Sequence, residues 1–179
     1  MKKLVFVLLG VLAMALLTAC GSKSIDEIEG STYECSRFSA KCPSGWINVP
    51  VKELNSEKIS QDHLRFSRMD VEEGEEPGNR VYSNAYVDVA YYAASSQLDD
   101  KAREKLKSAL KNVEDAELVV KDKKWKGFLG EVTSGRQEVH LWLDGQPEWQ
   151  IDISLYDVDG NLELEDVEIQ AILDSLQKK

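Results

Sequence analysis

The residues of this chain whose types could do chemistry are two histidines, three cysteines, four tryptophans and an acidic run near the C-terminus. Catalysis by a histidine needs a reacting group within reach and a second side chain to orient the ring. Neither His63 nor His140 stands in an H-E-x-x-H arrangement, and no Gly-x-Ser-x-Gly, Walker or dinucleotide-binding glycine pattern occurs. His140 lies beside Trp142 in an alternating stretch, where it reads as a packed or solvent-facing side chain. His63 precedes Leu64 and Phe66 with no partner evident nearby. The chain is therefore read as a non-enzyme without a cofactor.

One set of acids has metal-ligand spacing. Calcium loops of the EF-hand type take oxygen ligands at positions 1, 3, 5 and 12, which here are Asp157, Asp159, Asn161 and Glu168. Such a loop also needs a glycine at position 6 and a helix ahead of it. This chain has Leu162 at that position, its glycine (Gly160) two places earlier, and a strand pattern before Asp157. The stretch is expected to be a tight strand-to-helix turn in which Gly160 and Asn161 supply unusual backbone angles, with no metal. Glu72-Glu73-Gly74-Glu75-Glu76 reads as a solvated acidic loop.

Cys35 and Cys42 form an even pair, which an oxidising compartment would allow to bridge. Seven residues of straight strand would hold them about 23 Å apart on opposite faces, far outside disulfide reach. A bridge demands a turn near Ser36-Arg37, and two free thiols are the alternative. Among the tryptophans, Trp46 follows a turn and Trp149 opens an alternating apolar face, so both are expected to pack. Trp125 and Trp142, with His140, are left as candidate partner contacts, since an indole can stack on a sugar or grip a protein.

These residues must be positioned by one compact domain. The length of 179 residues suits a single domain, and 42% hydrophobic with 30% charged residues excludes a disordered or fibrous chain. The net charge is −10, and the segment from Cys20 onward is more acidic still, because Lys2 and Lys3 are the only charges before it. A phosphate-binding face needs a basic excess, so nucleic acid is excluded as a partner.

Strand patterns run over 33–41, 62–69 and 81–93, the last with Val87, Val89 and Tyr91 alternating against Asp88. The period then changes: Leu98, Ala102, Leu106, Ala109, Leu110 and Val113 fall on one face of a helix, with Ser96 and Asp99 close to a capping box. Strand patterns return over 117–121, 124–133, 137–143 and 149–156, and a second helix is expected over 164–177. The fold class is α+β: an antiparallel sheet with a mid-chain helix and a C-terminal helix packed on one face. For Val139, Leu141 and Leu143 to share a face with Trp149, Ile151 and Ile153, odd positions must pair with odd ones. A five-residue connection over 144–148 would do this, setting Leu143 opposite Trp149 and Leu141 opposite Ile151.

The first twenty residues carry an address. Lys2 and Lys3 precede an uncharged apolar run from Leu4 to Leu17, too short to cross a bilayer comfortably and right for a signal peptide. Leu17-Thr18-Ala19-Cys20 follows, and resembles the lipobox of bacterial lipoprotein precursors. The resemblance implies that Cys20 receives a diacylglyceryl group through its sulfur and that cleavage makes it the mature N-terminus, which anchors the chain to the bilayer. The expected organisation is a signal peptide over 1–19, a lipidated cysteine and flexible tether over 20–32, and a single domain over 33–179. Gly21-Ser22-Lys23-Ser24 after the cysteine looks more like a Gram-positive surface lipoprotein than a periplasmic one.

Phe38-Ser39-Ala40-Lys41-Cys42-Pro43-Ser44-Gly45-Trp46 is similar to the first strand and Pro-x-Gly-Trp turn of Mog1/PsbP-like domains, found in small bacterial lipoproteins. The order of elements agrees over residues 33–177. That resemblance implies an accessory or binding module, and it carries over no catalytic residue. The expected function is thus a membrane-anchored extracytoplasmic lipoprotein that binds an unknown protein or small ligand. The rivals are an envelope hydrolase or metal-dependent enzyme, and a solute-capturing lipoprotein of a transporter.

Overall fold

A computed structural model describes residues 23–49, 63–69, 71, 80, 83–92 and 97–179. The signal segment, Cys20, all but the first residue of the acidic loop 71–79, and Ser96 lie outside the described residues. The strands are β1 Gly30–Glu34, β2 Phe38–Pro43, β3 Trp46–Asn48, β4 His63–Arg68 and β5 Tyr86–Tyr91. After helix α1 (Asp100–Ser108) come β6 Lys111–Val120, β7 Lys123–Glu131, β8 Gln137–Leu143 and β9 Gln146–Ser154, then helix α2 (Val167–Asp174) and β10 Gln177–Lys178. Seven strands pair in the order β3-β4-β5-β9-β8-β7-β6, and β1-β2-β10 form a second sheet, all antiparallel.

Period-2 alternation gives the large sheet one apolar face. Val87, Val89, Val139, Leu141, Ile151 and Ile153 are all but fully buried on it. Against them pack Ile169, Ile172 and Leu173 of α2 and Phe38, Ala40 and Cys42 of β2, in one continuous core. The α+β class, the antiparallel sheet and the two packed helices are as the sequence implies. The sharing of one face is not. α1 has no buried residue, and its Arg103 and Lys107 lie over the rings of Trp142 and Phe128, whose even-numbered positions face away from this core. Gly130 makes room there: a Cβ at that position would stand 2.9 Å from the Leu110 Cβ.

α1 begins later than the expected Ser96–Asp99 capping box implies: Asp99 is itself the cap, its side chain accepting from the Ala102 N–H at 2.7 Å. It ends earlier than its apolar spacing suggests. Asn112 takes φ +49°, a left-handed angle that Asn tolerates, and the chain turns into β6 at Lys111. Ala116, Leu118 and Val120 then alternate inward against exposed Glu117 and Val119, so the strand period wins over the helical one.

The β8–β9 connection obeys the expected parity by another route. Leu141 faces Ile151, but Asp144 and Gly145 make a two-residue turn, with Gly145 at φ +75°, and Leu143 faces Gln146. A bulge between Trp142 and Leu143 absorbs Pro147, Glu148 and Trp149 and restores odd-to-odd pairing. Trp149 pairs with Tyr91 instead of Leu143.

One further expectation is corrected, and one open alternative is decided. The tether does not extend to residue 32: Ile28 is buried, Ile25 packs on the core, and β1 starts at Gly30. Cys35 and Cys42 are free thiols. The chain does turn at Ser36-Arg37, but Cys42 lies opposite Ser31, four residues and about 13 Å of strand from Cys35. Burial pushes the Cys42 thiol up to about 12.

Candidate functional site

The second face of the large sheet carries charge where a solvated face would be expected to carry it only loosely. Strand register sets Arg65, Asp88, Asp152, His140 and Phe128 side by side on β4, β5, β9, β8 and β7. A flanking row holds Ser67, Tyr86, Ser154, Glu138 and Gly130, and the opposite flank holds His63, Ala90, Gln150, Trp142 and Lys126. Every one of these sits at the polar phase of its strand, so the alternation that builds the core also builds this face.

Two carboxylates organise it. Asp88 is 6% exposed, and the Arg65 guanidinium donates to both of its oxygens while His63 Nε2 stands 3.4 Å away. Burial alone would raise the Asp88 pKa, but the hydrogen bonds from Arg65 and His63 outweigh it and hold the group below its ordinary value. Arg65 also stacks on the Tyr86 ring at 4.2 Å. Asp152 accepts from the Gln150 amide at 2.9 Å and is paired with His140 Nδ1 at 2.7 Å. Burial works against a charged His140, yet the hydrogen bond to Asp152 and the charges of Asp152 and Glu138 prevail and raise its pKa above 6.5.

That shift has a sign that can be checked. A histidine whose folded pKa is raised stabilises the fold below about pH 6.5, and the contribution is lost as pH rises through the folded value. Burial of Glu138 raises its pKa too, which acts in the same direction. The denaturant midpoint should therefore fall between pH 6 and pH 8 in the native protein, and His140→Gln should flatten that slope. An equal slope in both proteins would refute the assignment to His140.

His140 and Trp142 share this face, as expected, but neither is a free contact residue. Trp142 is 7% exposed beneath Arg103, whose guanidinium lies 4.5 Å from the ring centroid. His140 is set between Phe128, at 5.2 Å between ring centroids, and Asp152. Trp125 is 0% exposed in the core of the other face and is no surface contact at all. It borders a cleft of about 470 Å³ at the end of the sheet, with Leu143, Trp149, Leu176 and Lys178.

The acids of the strand-to-helix turn have a structural task. The Asp157 side chain accepts from the N–H groups of Ala85 and Asp159, and Asn161 Oδ1 accepts from the Asp157 N–H at 3.2 Å. Gly160 takes φ +125°; Asn161 contributes through its side chain and not through an unusual angle. Among the described residues no three His, Cys, Asp or Glu side chains converge in a metal-binding group, and Glu168 lies on α2 apart from this turn.

Sequence reasoning did not pick out Arg65, Asp88, Glu138, Gln150, Asp152 or Arg103. The available signal was a polar residue at the same phase of two strong strands: Asp88 between Val87 and Val89, and Gln150 and Asp152 between Trp149, Ile151 and Ile153. A scan against models of protein families gives no match, and no curated protein matches the chain.

Proposed function

We propose that the chain is a membrane-anchored extracytoplasmic lipoprotein whose α+β domain is a non-catalytic binding or accessory module of the cell envelope, similar in kind to Mog1/PsbP-like domains. The observation that carries this reading is Leu17-Thr18-Ala19-Cys20 directly after a basic start and an apolar run of signal-peptide length. Acylated Cys20 is the link to the bilayer, and two acyl chains anchor stably where one is marginal. Ile25 already packs on the core, so at most about 17 Å of extended chain separates the lipidated residue from the folded domain. The acidic balance disfavours nucleic acid as the partner and leaves a protein or small ligand, and the Gly- and Ser-containing stretch after Cys20 favours a Gram-positive surface.

An envelope hydrolase is the second reading, favoured by the His140–Asp152 pair, which orients a base as a hydrolase would. It is placed second because Asp152 is already shared between His140 and Gln150, and both residues are tied into cross-strand contacts. The anchor is tested by Cys20→Ser: the substituted protein should leave the membrane fraction or accumulate as uncleaved precursor. Membrane retention at the processed mass would overturn the lipoprotein reading.

A further inference from the structure

Two tight turns stand side by side at one end of the large sheet. The β6–β7 turn passes through Lys121 and Asp122, with Lys121 at φ +52°, and the β8–β9 turn through Asp144 and Gly145. Between them Trp125 of β7 pairs with Leu143 of β8, and the Asp144 N–H donates to the Lys124 carbonyl at 2.8 Å. The bulge in β9 sends Trp149 to Tyr91, so Leu143 has Gln146 opposite it and no large apolar side chain. The cleft of about 470 Å³ lies at this corner. Leu143, Trp149 and Leu176 are its apolar walls, Trp125 is an inner wall, and Lys178 of β10 stands at the rim. A volume of this size holds a small organic molecule.

Most charges around the cleft are tied to one another. Lys124 pairs with Glu117 at 2.7 Å, and Asp144 pairs with Lys126 at 2.6 Å. Lys123 Nζ donates to the carbonyls of Leu173, Asp174 and Leu176, which occupies its three hydrogens, and the Asp122 carboxylate acts on it through its charge. Lys178 differs. Hydrogen bonding to Tyr91 raises its pKa, while the charges of Glu148 and Arg37 act on it in opposite senses. Among the described residues its ammonium makes no ion pair, and Tyr91 leaves it hydrogens to give. The second donor is Trp125 Nε1, which is buried and has no hydrogen-bond partner. An unmade bond of this kind is costly.

An ammonium and an indole N–H both donate and neither accepts, so the polar end of a ligand here must be an acceptor. The unpaired ammonium favours an anion. The net charge of −10 does not forbid one, because exposed charges are screened beyond about 10 Å. Asp122 and Asp144 line the same cleft and oppose a second negative charge, which favours a carboxylate over a phosphate dianion. The apolar walls call for a hydrocarbon body. We infer that this cleft binds an organic monocarboxylate, its oxygens accepting from Lys178 and Trp125 and its body lying against Leu143, Trp149 and Leu176. This rests on reading the domain as a binding module and names its ligand class.

The test is calorimetric titration of the full chain in a non-ionic detergent, with hexanoate and 3-phenylpropionate to about 30 mM, enough to reveal a millimolar Kd. Hexan-1-ol and 3-phenylpropan-1-ol carry the same bodies without the charge, and titration into detergent alone is the blank. At least one carboxylate should bind saturably, and its alcohol about tenfold more weakly or not at all. Lys178→Met should weaken the carboxylate about tenfold, and Trp125→Phe, which keeps a ring and deletes the N–H, should weaken it severalfold. Lys178 is exposed next to the C-terminus, so its variant keeps the test readable if the Trp125 variant does not fold. No saturable heat with either carboxylate, alcohols that bind as tightly, or binding that Lys178→Met leaves unchanged would overturn the inference. None of these results depends on whether Cys20→Ser releases the protein, so the anchor reading and this one fail separately.

Discussion

Arg65→Met should lower the unfolding free energy by about 3–5 kcal/mol, because it strands the Asp88 carboxylate, 6% exposed, without its main counter-charge. His63 Nε2, in the flanking row, stands 3.4 Å from the same carboxylate. Asp88→Asn should also destabilise, and the double variant Arg65→Met/Asp88→Asn should lose less than the two single losses added together, as expected for groups that face one another. Urea titrations of the four proteins measure this. A loss under about 1 kcal/mol for Arg65→Met would mean that the pair is already reached by water.

Trp149→Ala should cost about 3–5 kcal/mol, and a fall in melting temperature on the order of 10 °C. The Trp149 indole meets Tyr91 edge-on at 4.8 Å between ring centroids and Phe38 at 5.2 Å. Tyr91 belongs to the large sheet and Phe38 to the small one, so this ring joins the two sheets at one end of the core. Val119→Ala supplies the contrast: it removes a side chain that is 56% exposed on the edge strand β6, and should move stability by less than about 0.5 kcal/mol. Thermal melts of both variants decide the matter. Equal, small shifts would show that the ring contacts are not what holds the sheets together.

Much of the sheet was legible because its strands alternate cleanly. Ile151 and Ile153 against Gln150 and Asp152 name both faces of β9 by residue type alone, and Gln137–Leu143 is bounded where its pattern is bounded. α1 was legible as a helix but at neither end: Asp99, read as the partner of a Ser96 cap, is itself the cap. Ala109, Leu110 and Val113 continue a helical stripe, yet Ala109 is already the C-cap and β6 begins at Lys111, with Asn112 taking its left-handed angle at the bulge between Lys111 and Glu114. The face each helix covers was illegible for a related reason. α1 is held through Arg103, Lys107 and the gap at Gly130, none of which registers as an apolar position. The β8–β9 turn shows parity constraining geometry without fixing it, since a loop of odd length and a short turn with a bulge satisfy the same rule. Of the candidate site, the two aromatic residues were visible singly. The charged row was not, because it exists only once strands far apart in sequence, β4, β5, β9 and β8, lie side by side.

The strand order has a bearing on when the chain can fold. β9 occupies the middle of the large sheet, between β5 and β8, although it is the last of the seven to be synthesised. Until Gln146–Ser154 arrives, β3-β4-β5 and β8-β7-β6 are two separate ribbons, each with a raw edge and half a core, and α2, which seals that core, follows later still. Closing β5 onto β9 spans some sixty residues, which loop closure makes slow. If the chain is exported as proposed above, a polypeptide threaded N-terminus first through a translocon would thus stay open to threading until its final fifth had emerged. Under that proposal, assembly would be deferred to the far side of the membrane by the order in which the strands are encoded.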